Sequence, residues 1–274
     1  MKRTAHENRG RLFARRGLSA AAGWAVLFSA VGFCLLGGER GAADRAPEPR
    51  TFRQWAEREY QAARAAYLSC GGAQYAAAWK HARACFDMGE AARDNRERAV
   101  WAEEGVLAGE KAVAAAPNRV EGHYYLALNL GQMARVKQLR GLFLIKRMEA
   151  ELRKALAADP AFDYAGPDRC LGMLYRDAPG WPLSLGSRKR ARRHLESAVR
   201  RAPDYFPNRL NLLEALLKWG ERTEAKQQLP AARAALAKAK ARFRGVPWTF
   251  AWPEWLARWE QICKKLGEDV EQAR

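Results

Sequence analysis

Histidine is scarce in this chain, with four in 274 residues, and none of the five cysteines forms a C-x-x-C pair. His81, His123 and His194 stand far apart, with no H-E-x-x-H spacing to hold a metal. A G-x-S-x-G elbow is missing, as is a phosphate-cradling glycine loop behind a strand. No useful length of sequence alternates apolar with polar residues, so the half-buried strand pattern is missing too. These gaps speak against an enzyme built on a familiar local motif, and no catalytic residue, cofactor or metal ligand is expected. Acidic residues are also in deficit, 30 against 48 Lys and Arg, for a net charge of +18.

The first 43 residues carry part of that excess. Lys2, Arg3, Arg9, Arg11, Arg15 and Arg16 precede an uncharged apolar run at 18–36, and small residues follow up to Ala43. A basic start, an apolar stretch and small residues make an export signal, with cleavage expected after Ala43. The run also approaches the length that spans a bilayer, so an uncleaved inner-membrane anchor is the rival reading. Both place the body outside the cytoplasm, periplasmic or tethered there. Cys34 follows Phe33, where lipid attachment wants a small residue. Without residues 1–43 the chain keeps a net charge of +13. Most of these charges sit at helical spacing beside acids, as in RQWAEREYQAAR (53–64), which is the pattern of a solvated face. Nucleic acid is not an expected partner. Residues 44–50 read as a linker, 51–266 as one helical domain and 267–274 as a tail. Cys70, Cys85, Cys170 and Cys263 are expected to be buried free thiols. A Cys70–Cys85 bridge would have to cross roughly 16 Å along a helix hairpin.

TFRQ (51–54), DNRE (94–97) and NRVE (118–121) each set a capping oxygen three residues before Glu or Gln. Ala-rich stretches with apolar residues three and four apart follow. Helices are expected at 51–69, 74–92, 95–116, 119–138, 142–158, 167–177, 188–201, 207–219, 221–243 with a break at Pro230, and 252–266. KAVAAAP, KALAADP and SAVRRAP end on Pro117, Pro160 and Pro203, a spacing of 43 each time. Leu126, Ala127 and Leu130 follow the first proline at the same offsets as Leu212, Leu213 and Leu216 follow the third. The middle copy fits as though two residues were inserted before Leu171. This is the pattern of a tetratricopeptide-like repeat lengthened beyond its usual 34 residues, an α-α superhelix whose units must stack to hide their apolar faces. DAPGWPLSLGS (177–187) then links the two helices of one unit, either as a stapled corner or as the lip of a cavity.

EGHYYLALNLGQ (121–132), FDYAGPDRCLGMLYRDAPGWP (162–182) and GSRKRARRHLESAVRRAPDYFPNRLNLLEALLKWG (186–220) resemble the T-component (TatT) family associated with TRAP transporters. The resemblance extends over roughly residues 70–220. It implies an exported all-helical protein with cryptic repeats, a homotrimer with a pore or groove through each subunit, and docking to a periplasmic solute-binding protein. Members of that family are often lipoproteins, which Phe33 before Cys34 argues against here.

Tyr124, Asn129, Arg169, Tyr175 and Asn208 fall on or cap first helices, which line the concave face in such repeats. With Trp181 they are the candidate contacts for a partner or for a small organic-acid or hydrophobic ligand; the rival readings are a core aromatic for Tyr124 and a cap or corner residue for Asn208. Arg169 is the expected anion binder, because its planar fork suits carboxylates. Trp248, Trp252, Trp255 and Trp259 are expected to seal the last repeat, and Gly105 and Gly109 to allow close packing against helix 74–92. The expected function is a non-catalytic accessory to a TRAP-type uptake system; the alternative is a generic membrane-tethered envelope scaffold.

Overall fold

The computed structural model describes residues 48–137, 141–180, 185–246 and 248–268. Residues 1–47, which hold the expected export signal or anchor, Trp181 and most of the tail lie outside them. Ten α-helices and no strand are found among the described residues: α1 (Phe52–Ser69), α2 (Tyr75–Glu90), α3 (Asn95–Ala115), α4 (Val120–Val136), α5 (Gly141–Ala158), α6 (Phe162–Asp177), α7 (Arg188–Arg201), α8 (Phe206–Lys218), α9 (Arg222–Arg242) and α10 (Trp248–Leu266). None of them is long and apolar enough to cross a membrane.

The helix starts follow local chemistry. Thr51 and Gln54 form a full capping box on α1. Asp94 accepts from the Glu97 N–H at 2.8 Å to cap α3. The NRVE expectation is corrected: Arg119, not Asn118, is the N-cap of α4, and no side chain caps it. Glu121 there takes the Tyr75 hydroxyl and Arg119 instead of turning back on the backbone. The expected break at Pro230 is also corrected, because α9 runs through it. One face buries Ala225, Leu229, Ala232, Ala235, Leu236 and Ala239. Packing on both sides of the proline therefore outweighs its lost hydrogen bond.

Helices α3, α5 and α7 each end two residues before Pro117, Pro160 and Pro203, so the 43-residue period marks equivalent corners. Each proline closes a hairpin, with α2 packed on α3, α4 on α5 and α6 on α7, and α8 packs on α9 in the same way. Neighbouring hairpins stack through α3 on α4, α5 on α6 and α7 on α8. The core runs through the stack with Leu126, Ala127, Leu130, Leu212, Leu213 and Leu216 all buried. Trp248, Trp255 and Trp259 are buried at the far end against Tyr205, Phe206 and Phe243, as a terminal cap should be. The end then returns to the beginning. Val246 and Phe250 pack on the cluster of Trp55, Ala56, Tyr60, Ala84, Cys85 and Met88, and the Phe250 and Phe52 rings meet edge-on at 6.3 Å.

Gly105 and Gly109 do serve close packing, but against α4 and not α2. A Cβ on Gly105 would lie 2.2 Å from Asn129 Oδ1, and one on Gly109 would lie 2.9 Å from Leu126 Cβ. Gly105→Ala is expected to cost about 1–3 kcal/mol by overpacking, seen as a lower urea midpoint with an unchanged slope.

Candidate functional site

The segment that carries the family resemblance forms a strained turn at the centre of the stack. Asp163, Tyr164 and Ala165 have φ of 49°, 55° and 61°, a left-handed run of three residues that all carry a Cβ. Such residues cost about 1–2 kcal/mol each, so their surroundings must hold them in place. Arg169 Nη1 donates to the carbonyls of Asp163 and Tyr164 at 3.0 and 3.2 Å. Its Nη2 pairs with Asp163 Oδ2 at 2.7 Å. The Tyr124 hydroxyl donates to the same oxygen at 2.6 Å. Asn208 Nδ2 donates to the Tyr164 carbonyl at 3.0 Å, and the Tyr164 ring stacks on Tyr205 at 4.6 Å. Helices α4, α6 and α8 are thus joined through one buried cluster. The turn also accounts for the misfit of the middle repeat, since it takes up the two extra residues before Leu171.

The open-face reading of the candidate residues needs correction. Tyr124, Asn129, Arg169, Tyr175 and Asn208 are all at most 1% exposed. The anion held by Arg169 is Asp163 of its own chain. Asn129 donates to the carbonyls of Ala82 and Tyr125, both at 2.8 Å. Asn208 also bonds the Ala198 carbonyl at the end of α7. The Tyr175 hydroxyl meets Glu149 and Arg153 of α5, while Arg190 lies over its ring at 4.2 Å. These residues fasten helices to one another, and the geometry brings Tyr124, Arg169 and Asn208 into a single cluster. Trp181 falls outside the described residues. The loop that carries it is pinched at its base, where the Ser187 N–H donates to the Tyr175 carbonyl and the Gly186 N–H to that of Pro179. Cys70, Cys85, Cys170 and Cys263 are free, and all but Cys70 are buried.

Histidine plays a part that its scarcity concealed. His81 bonds Glu104 (2.8 Å), His123 bonds Glu151 (2.5 Å) and His194 bonds Asp168 (2.7 Å), each across the two helices of one hairpin. The separations of 23, 28 and 26 residues are about one hairpin's span, the only trace the clasps leave in the sequence. Burial pushes the Glu151 carboxyl up, but hydrogen bonds from His123 and Lys154 outweigh it and hold the group below its ordinary value. Asp168 follows the same balance, with His194 and Ser197 prevailing over burial. Ser197 and His194 bond opposite oxygens of Asp168 rather than each other, so this trio does not activate the serine.

Further charges run along the first helices of the units. Asp87 sits 3.8 Å from Arg83, and burial pushes its carboxyl up to about 7. Glu90 accepts from Gln132 and Arg135, yet burial raises it to about 6, with Glu254 of α10 adding to the rise. Arg258 of α10 grips Glu214 of α8 through two bonds of 2.8 and 2.9 Å, and it reaches Asn211 at 2.6 Å. Arg176 of α6 approaches Glu214 at 3.5 Å. The effect of Glu254 on Glu90 agrees with the return of α10 toward the first helices.

A family model described as regulator of microtubule dynamics protein 1-3 matches residues 52–165, from the start of α1 to the left-handed turn. The crystal structure of TTC0263, a thermophilic TPR protein of Thermus thermophilus, is similar with a TM-score of 0.38 and 21% identity, over 69% of this chain and 94% of that one. No curated protein matches. Stacked hairpins, proline corners at a constant period and a sealed last repeat make this chain an all-α, tetratricopeptide-like helical-repeat protein, a build suited to binding other proteins.

Proposed function

We propose that this chain is an exported, non-catalytic accessory of a TRAP-type solute uptake system. It docks a periplasmic solute-binding protein and takes a small organic-acid or hydrophobic ligand within the curve of its helices. The observation that carries this reading is the Asp163–Arg169 turn. Gly166-Pro167-Asp168-Arg169, the most specific part of the TatT resemblance, lies at this turn, and its Arg169 supplies the buried clamp joining α4, α6 and α8. Glu90 and Glu214, half-buried on α2 and α8, with α10 returning to α1, support a polar strip along the first helices. Its binding would rest on shape and fixed charge and would need no reactive group.

Full-length protein used as bait in periplasmic extract is expected to retain a solute-binding protein of the TRAP class. Repeated failure of an intact oligomer to do so would favour the envelope scaffold tethered through residues 18–36, the reading that this apolar run supports. Self-association into a trimer also has a surface available. Val100 and Leu107 of α3 and Leu142 and Phe143 of α5 are 57%, 61%, 47% and 69% exposed. Phe143→Glu is expected to convert trimer to monomer in sedimentation without loss of helicity; an unchanged trimer would place the contact elsewhere.

A further inference from the structure

His81 and Cys85 lie one turn apart on the same face of α2, and Glu104 faces them from α3. His81 Nε2 is 2.8 Å from Glu104 Oε1 and 3.8 Å from Cys85 Sγ, and all three ligand atoms fall within 4.8 Å of one another. A tetrahedral zinc with bonds of about 2.0–2.3 Å sets its ligand atoms roughly 3.3–3.8 Å apart. The separations of 2.8 and 3.8 Å from His81 bracket that spacing. Among the described residues the other two histidine clasps pair with a carboxylate and bring no thiol with them.

We propose that His81, Cys85 and Glu104 form a binding site for a divalent d-block cation of borderline softness, zinc in the first instance. One nitrogen, one sulfur and one carboxylate oxygen are a donor set that favours such an ion over magnesium or calcium, which prefer oxygen alone. His81 donates the Nε2 lone pair and carries its proton on Nδ1. The Cys85 S–H bond breaks, its proton passes to water, and the thiolate bonds the metal. No electron is transferred. The Tyr60 hydroxyl, 2.9 Å from Glu104 Oε1, orients the carboxylate from α1, so the ion would tie α1, α2 and α3 together. His81 and Cys85 are buried at 1% and 0% exposure, while the Glu104 side chain is 34% exposed. Glu104 also lines a groove of about 500 Å³ with Tyr67, Leu107 and Lys111, so its carboxylate is the ligand nearest solvent, while the Tyr67 ring stacks on His81 at 4.6 Å. Because binding displaces a proton, uptake should weaken as pH falls.

Full-length protein stripped with chelator and titrated with Co²⁺ is expected to bind one ion per chain at this site. It should develop a near-ultraviolet thiolate-to-cobalt band that Zn²⁺ erases. Cys85→Ser should abolish the band, and Cys263→Ser should leave it intact. Glu104→Gln, at a partly exposed position, should keep the helical circular dichroism and weaken zinc about tenfold or more. Absence of the band in the parent protein, its survival in Cys85→Ser, or unchanged zinc affinity in Glu104→Gln would each overturn the proposal. If Cys85→Ser does not fold, the Glu104→Gln affinity decides.

Discussion

Arg169→Met is expected to destabilise the protein by about 3–5 kcal/mol, the usual cost of removing one member of a buried ion pair. Two losses combine. The Asp163 carboxylate, 2% exposed, loses its counter-charge, and its Oδ1 already has no partner. The carbonyls of Asp163 and Tyr164 also lose the guanidinium that holds their left-handed backbone. Urea unfolding followed by circular dichroism measures the cost directly. The double variant Asp163→Asn/Arg169→Met is expected to recover part of it, since no charge is then stranded. A loss below about 1 kcal/mol would mean that ring packing of Tyr164 on Tyr205 holds the turn, with the ion pair contributing little.

Stability is expected to fall as the pH rises from about 4 to 7, against the common trend of small proteins. The main cause is Asp87. Burial raises its carboxyl from an ordinary 3.8 to about 7 in the folded chain, opposed by Arg83 on its own helix. Glu90 on α2, Glu59 on α1 and Asp163 on α6 add to the rise. The folded state therefore holds this proton more tightly than the unfolded state does. Below about 4 both states are protonated and nothing is lost. As the pH climbs toward 7 the folded state must accept a buried charge, at a cost on the order of a few kcal/mol. Glu90, raised to about 6, acts in the same direction. Glu97 acts oppositely: its hydrogen bond from Arg53 holds it near 2, so its contribution is present above 4.5 and fades as the pH falls toward 2. Glu151 and Asp168, held below their ordinary values, act with Glu97 in acid, while His81, lowered from 6.5 by burial, opposes Asp87 and Glu90 and makes the fall above pH 5 shallower. Asp87→Asn should flatten the upper slope, raising the melting temperature at pH 8 while leaving it nearly unchanged at pH 4.5. Equal shifts at both pH values would show that Asp87 does not titrate as described.

The helices were legible because their signals are local. The Thr51 capping box, the terminal prolines of three hairpins and the apolar spacing of α4 and α8 act within a few residues of chain. Pro230 misled because its local penalty is outweighed by the packing of Leu229, Ala232 and Leu236 against distant residues. The polar candidates misled for a related reason. Arg169 and Asn129 read as lining the concave face because polar side chains are mostly exposed, yet each meets a partner 39 to 47 residues away.

Most helix limits and the 43-residue repeat were written in the linear order of residues, since each depends on near neighbours along the chain; α6 and α10 nonetheless start at Phe162 and Trp248, ahead of the expected 167 and 252. Which polar groups would be buried was settled only by the stacking of the hairpins. The clamp around Arg169, the three histidine clasps, the convergence of His81, Cys85 and Glu104, and the approach of Phe250 to Phe52 all join residues from different helices. A buried charge is tolerable only where a partner waits, and that partner is supplied by stacking, which brings distant parts of the chain together.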